Sequence, residues 1–305
     1  MAPRLTTASM AVTSEVSIPV KGGVTIPARV YHPDSQALAQ GHRLPVLVWF
    51  HGGGWVLGSV RESEAIAMDL AATTGMVVMS VGYRLAPEHP YPTPVNDAVA
   101  AVKWAVKNIE RFGGDKANIA VGGESAGGNL ALVAAAEARR SWWRQLLSFS
   151  LRKSALCAVV AATPVTSHEH AVRASDSYNK YKSGYILSLS MMRSFWDLYL
   201  GKENNGKNWR ASPLRAPARI LKKMPPTLFV AASHDVLGDE INDMNARLES
   251  LKIPTKLITL AGTLHGFFGK EAFATAGLES LQETANFLKE HCSLPEASPA
   301  SLVVY

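Results

Sequence analysis

Ile119-Ala120-Val121-Gly122-Gly123-Glu124-Ser125-Ala126-Gly127 is the stretch that decides the fold. Its first four residues read as a short apolar strand. Gly-x-Ser-x-Gly follows at 123–127, and residues 128–136 (GNLALVAAA) read as a helix. Strand, tight turn and helix are the context in which this pattern forms a nucleophile elbow. The serine has to sit on a strained turn that lifts its hydroxyl above the sheet. Glycines at 123 and 127 remove side chains that would clash there, and the helix aims its N-terminus at the site. The pentapeptide alone arises by chance, so its neighbours carry the argument.

Upstream, Pro45-Val46-Leu47-Val48-Trp49-Phe50 reads as a buried strand running into His51-Gly52-Gly53-Gly54. Consecutive glycines let backbone N–H groups approach a ligand unobstructed, as an oxyanion hole requires. A phosphate loop is excluded because no Lys-Ser/Thr follows, and the dinucleotide-binding glycine spacing is absent. Downstream, Pro226-Thr227-Leu228-Phe229-Val230-Ala231-Ala232-Ser233 reads as a strand with Asp235 just past its end. Thr255-Lys256-Leu257-Ile258-Thr259-Leu260 reads as another, with His265 beyond it. Ser125, Asp235 and His265 thus all fall at strand carboxyl ends, where open parallel sheets place ligands. A lone Asp or His in a loop is more often a cap or a solvated side chain; here order and position favour catalysis. Asp239 and Glu240 lie one helical turn further on and suit the N-terminal dipole of the next helix.

These segments, taken with Trp55, Tyr83-Arg84-Leu85-Ala86-Pro87-Glu88-His89-Pro90-Tyr91-Pro92, Ser212-Pro213-Leu214, Asp235-Val236-Leu237-Gly238-Asp239-Glu240 and His265-Gly266-Phe267, resemble the hormone-sensitive-lipase-like branch of the α/β-hydrolases. The resemblance spans roughly residues 14 to 290. It implies a catalytic triad of Ser125, Asp235 and His265. It implies an oxyanion hole from the amides of Gly53, Gly54 and Ala126. Two positions depart from the family pattern. Glu124 stands where Asp is usual before the serine, one methylene longer. Ala161-Ala162-Thr163-Pro164-Val165 replaces a Tyr-Pro-type strand end. Neither removes a catalytic group; both bear on fine specificity.

Periodicity agrees with an α/β-hydrolase fold, a mostly parallel, doubly wound sheet. Glu15-Val16-Ser17-Ile18 and residues 24–30 alternate like an edge hairpin around Gly22-Gly23. Strands at 45–50, 76–82, 119–122, 155–162, 226–233 and 255–260 then alternate with helices at about 62–74, 94–111, 128–136, 238–251 and 275–291. The chain of 305 residues, 47% hydrophobic, suits a single domain. Residues of about 165–224 interrupt the alternation and are expected to form a small helical cap, with residues 1–13 as a further contribution. Phe195, Trp196 and Tyr199 in this insertion, and Trp55 beside the glycine loop, are the candidate substrate-binding residues. They either line the pocket or hold the insertion to the body. The cap is expected to cover a compact pocket.

Cys157 and Cys292 lie far apart in an apolar strand and the last helix, and are expected to form no disulfide framework. With no continuous apolar run in residues 1–13, that points to a cytoplasmic protein. Arg4, several Ser/Thr and no acid in that segment leave an organelle-targeting reading open. No apolar run approaches the length needed to cross a bilayer. Residues 139–223 hold 16 Lys/Arg and 4 Asp/Glu, so the insertion side is basic. A solvated surface is the simpler reading. The apolar and basic stretch 142–153 makes membrane contact the minor one. Nucleic acid has no motif support.

Three functions fit these residues: a serine carboxylesterase acting on short- to medium-chain acyl or aryl esters, the same triad acting on an amide, formamide or lactone, and a binding protein on a hydrolase scaffold. The last needs a broken triad, and all three residues are present. The partner is a small-molecule ester, with no metal or cofactor implied, and a homodimer is compatible with the chain. Activity is expected to rise with pH as His265 loses its proton near about 6 to 7.

Overall fold

The computed structural model describes residues 13–33, 41–138, 156–203, 205–270 and 273–292. The stretch 142–153, and residues 1–12 with their expected contribution to the cap, lie outside these. Alternating apolar residues make β1 (Thr13–Val20) and β2 (Val24–Tyr31) an antiparallel edge hairpin. β3 (Leu44–Phe50) and β4 (Val77–Val81) are buried at every position, as strands covered on both faces must be. β5 (Gly114–Glu124), β6 (Leu156–Ala162), β7 (Thr227–His234) and β8 (Thr255–Leu264) complete one eight-stranded sheet of order β1-β2-β4-β3-β5-β6-β7-β8. Pairing is parallel from β4 through β8. β5 begins earlier and β8 ends later than the apolar runs alone suggest. The extension of β8 brings its end directly up to His265.

Two helical layers cover the sheet. α1 (Glu64–Thr74) and α9 (Ala274–His291) lie on one face, where Leu47 and Trp49 of β3 point. α2 (Thr93–Asn108), α3 (Ala126–Ala138) and α8 (Gly238–Ser250) lie on the other, against Val46, Val48 and Phe50. The period-two alternation of β3 thus feeds two cores at once. Full burial of each such aliphatic or aromatic side chain contributes roughly 1.5–3 kcal/mol. The chain runs from β3 to β4 on one side and then crosses to β5 on the other. The strand order therefore reverses between β3 and β5, which is where open α/β sheets leave a crevice for ligands.

Between β6 and β7 lie α4 (His168–Arg173), α5 (Asp176–Lys180), α6 (Leu189–Leu200) and α7 (Ala218–Leu221). Ser188 caps α6, accepting from the Met191 amide at 3.2 Å. The first turn of α8 holds this insertion down. Glu240 Oε1 accepts from the Thr166 amide at 2.7 Å, and Asp239 Oδ2 from the Ser177 amide at 2.8 Å. These two carboxylates therefore do more than suit the helix dipole. From α3, Asn129 donates to the carbonyls of Val165 at 2.8 Å and Ala211 at 2.9 Å.

One expectation is overturned. Cys157 at the start of β6 and Cys292 at the end of α9 form a disulfide, with Cα atoms 5.4 Å apart. A sequence separation of 135 hid the pairing, which packing of α9 across the sheet brings about. The cysteines thus give no support to a reducing compartment. Among the described residues, no helix is long and apolar enough to cross a membrane.

Candidate active site

Ser125 stands between β5 and α3 with φ of 56°, the strained conformation the elbow requires. The glycine at 127 is required by close approach: a Cβ there would run into the Phe50 carbonyl. His265 follows β8 and Asp235 follows β7, and the sheet brings all three side chains together. His265 Nε2 lies 2.9 Å from Ser125 Oγ, and its Nδ1 lies 2.7 Å from Asp235 Oδ2. A carboxylate only accepts, so Nδ1 carries the proton and Nε2 is free to accept from the serine hydroxyl. The other carboxylate oxygen, Oδ1, accepts from the Leu237 amide at 3.1 Å. Burial alone would lower the imidazole pKa. The charge and hydrogen bond of Asp235 outweigh it, and the net shift is upward.

The glycine loop follows β3 on the other side of the crevice. Gly53 and Gly54 both have positive φ, 110° and 60°, and line the same cavity as Ser125. A Cβ on Gly54 would strike the Phe195 ring. Ala126, the first residue of α3, is fully buried directly behind the serine. Two residues that no role had been given to fasten this loop. His51 donates from Nδ1 to the Gly52 carbonyl at 2.7 Å, and burial lowers its pKa, which keeps it neutral. Tyr83 stacks on the His51 ring at 4.3 Å and donates its hydroxyl to the His51 carbonyl at 2.9 Å. Both stand within the motif segments of the sequence; what the sequence lacked was any sign that they touch.

The cavity above Ser125 has a volume of about 970 Å³. That is the upper end of small-molecule pockets, and larger than the compact pocket expected. The insertion supplies Ile186, Leu187, Met191, Met192 and Phe195. On the opposite wall, Ile66 of α1 and Leu278 and Leu281 of α9 line it as well. Of the four candidate substrate-binding residues, Phe195 alone faces this space. Trp55, Trp196 and Tyr199 are essentially inaccessible. Trp55 has a left-handed backbone, φ 62°, and its ring stacks on Tyr199, 4.1 Å distant and nearly parallel. Trp196 packs on both. These three join the insertion to the body.

Strand order, elbow and the Ser–His–Asp contact define an α/β-hydrolase. The family model for the alpha/beta hydrolase fold matches residues 47–269. An ethyl acetate hydrolase of Pseudomonas putida is 31% identical over 280 residues, 91% of this chain and 82% of that protein. An arylesterase of Saccharolobus solfataricus is 32% identical over 245 residues, 80% of this chain and 73% of the other. The solved hyperthermophilic esterase from Pyrobaculum calidifontis is 34% identical and superposes with a TM-score of 0.80, covering 92% of this chain and 86% of its own. The chain belongs to the hormone-sensitive-lipase-like branch of the α/β-hydrolase fold family.

Proposed function

We propose that this protein hydrolyses carboxylic esters, with short- to medium-chain acyl or aryl esters as substrates and Ser125 as the nucleophile. The observation that carries the reading is the continuous relay Ser125 Oγ, His265 Nε2, His265 Nδ1, Asp235 Oδ2 opening into an apolar cavity. The activities named for its relatives support it. Ser125 Oγ attacks the ester carbonyl carbon while its proton passes to His265 Nε2. Asp235 holds the resulting imidazolium through Nδ1–H. The amides of Gly53, Gly54 and Ala126 receive the oxyanion. Collapse breaks the bond to the alcohol oxygen, which takes the proton from His265. Water then attacks the acyl-serine with His265 as base, and the acid leaves. The insertion at 165–224 serves as the cap over this cavity.

The Cys157–Cys292 disulfide favours an oxidising compartment over the cytoplasmic setting expected from the sequence. Ser125→Ala should lower kcat on p-nitrophenyl butyrate by about 10⁴ or more with the fold intact by circular dichroism. Near-normal turnover would overturn the assignment. An anilide and a lactone run beside the ester separate the acyl bonds this relay could cleave.

A further inference from the structure

Glu124 ends β5 and directly precedes Ser125, yet the reaction above gives it no part. Its carboxylate lies in the seam between the two loops that flank the serine. Oε2 comes within 3.8 Å of the point where Gly52 would carry a Cβ, and Oε1 within 3.7 Å of the corresponding point on Gly266. Lys270 Nζ reaches that same point beside Gly266 at 3.3 Å. Oε1 is closed off from solvent and has no hydrogen-bond partner among the described residues. A bare, buried carboxylate oxygen is costly unless a nearby cation compensates it. Two cations stand close: the Lys270 ammonium, and His265 once it is protonated.

We propose that Glu124 is a second positioning carboxylate: set between the Gly52 and Gly266 loops and faced by Lys270, it stabilises the imidazolium that forms on His265 as Ser125 gives up its proton. This rests on the reading of Ser125, His265 and Asp235 given above. The contribution is greater after proton transfer than before it, so it acts on the transition state rather than on substrate binding. Burial pushes the Glu124 pKa up, and the charges of Lys270 and His265 oppose that. In return Glu124 adds to the upward pull that Asp235 exerts on His265. The extra methylene of Glu over Asp supplies reach towards Gly266.

The charged and titratable groups around His265 come from several elements. Asp235 follows β7, Glu124 ends β5, Lys270 follows β8 and His51 follows β3. Glu62 and Asp69 line the cavity from the α1 side, and Tyr178 and Glu240 stand behind Asp235. Glu124→Gln keeps the side-chain shape and removes only the charge, so the other groups stay in place.

The test is the pH dependence of kcat and kcat/KM on p-nitrophenyl butyrate for Glu124→Gln, Glu124→Asp and Ser125→Ala. Glu124→Gln should lower kcat about tenfold with KM changed less than about twofold. The acid limb of kcat/KM should move down by about half a pH unit. Glu124→Asp keeps the charge but shortens its reach, so it should bring back part of the limb shift and part of kcat. An acid limb that stays put in Glu124→Gln overturns the proposal, whether kcat is kept or lost, because packing alone would not move it. Should Glu124→Gln not fold, Glu124→Ser takes its place with the same criteria. An inactive Ser125→Ala beside an unmoved limb sinks only the role of Glu124. An active Ser125→Ala sinks the reaction itself.

Discussion

His265 donates its Nδ1–H to the Asp235 carboxylate across 2.7 Å, although the two residues leave different strands. Asp235 is 2% exposed and accepts at both oxygens, from His265 on one and the Leu237 amide on the other. Asparagine can satisfy only one of these donors. Whichever way its amide turns, an N–H faces an N–H. Asp235→Asn should therefore cost about 10⁴ in kcat, by the tautomer argument established for serine proteases. Asp239→Asn should leave kcat nearly untouched, because Asp239 accepts from the Ser177 amide and not from the imidazole. Steady-state kinetics of the two variants would expose a reversed assignment.

The same contact sets the pH dependence. The imidazole must be neutral to take the serine proton, and its pKa is raised by Asp235 in spite of burial. Activity should therefore appear as pH rises through a value above the ordinary imidazole range, higher than the sequence alone suggests. Residual activity of Asp235→Asn should show that limb displaced to lower pH. A wild-type limb below the ordinary imidazole value would contradict the raised pKa.

Gly54 and Phe195 make the glycine loop and the insertion depend on each other. Gly54→Ala would place a methyl in a left-handed residue and against the Phe195 ring. The loop must shift, and a displacement of about 1 Å at such a site costs on the order of 10² in rate. Phe195→Ala on top of Gly54→Ala should recover part of kcat, since it removes the clash. If the double variant were no better than the single one, backbone strain alone would be responsible.

How much of this was legible depends on the range of the signal. β3, β4, β6 and β7 announce themselves as short apolar runs, and Ser125, Asp235 and His265 stand at strand ends in an order that local patterns disclose. Contacts between distant segments did not show. Trp55 looked like a pocket residue because it adjoins the glycines; it is instead buried in a stack with Tyr199, a contact between distant segments. Leu278 and Leu281 fall within the helix read at about 275–291. That reading does not show that the first turns of α9 overhang the cavity.

The disulfide is the clearest case of such a long-range contact, and it can be weighed directly. Cys157 and Cys292 clip the end of α9 to β6, and closing a long loop lowers the entropy of the unfolded chain. Cys292→Ser should cost about 2–5 kcal/mol in denaturant unfolding, and reductant should lower the wild-type melting temperature but not the variant's. Thiol titration of the denatured wild type should find no free thiol before reduction and two afterwards, the chain's full complement. Two free thiols without reductant would refute the bond.

The cavity's dimensions carry a last prediction about chain length. Its two apolar walls, Ile186 and Met191 on the insertion side and Leu278 on α9, are exposed at the mouth. Each acyl methylene buried between them contributes roughly 0.8 kcal/mol, about fourfold in kcat/KM, while room lasts. Across p-nitrophenyl acetate, butyrate, hexanoate and octanoate, kcat/KM should climb and then level, and it should fall for the palmitate. Leu278→Trp narrows the α9 wall without touching Ser125 or the glycine loop. It should reduce turnover of the octanoate far more than that of the acetate, shifting the optimum to shorter chains. If Leu278→Trp lowered all the esters equally, the acyl chain would not run along α9. If the wild type preferred palmitate and was activated by a lipid interface, the protein would be a lipase rather than an esterase of short and medium chains.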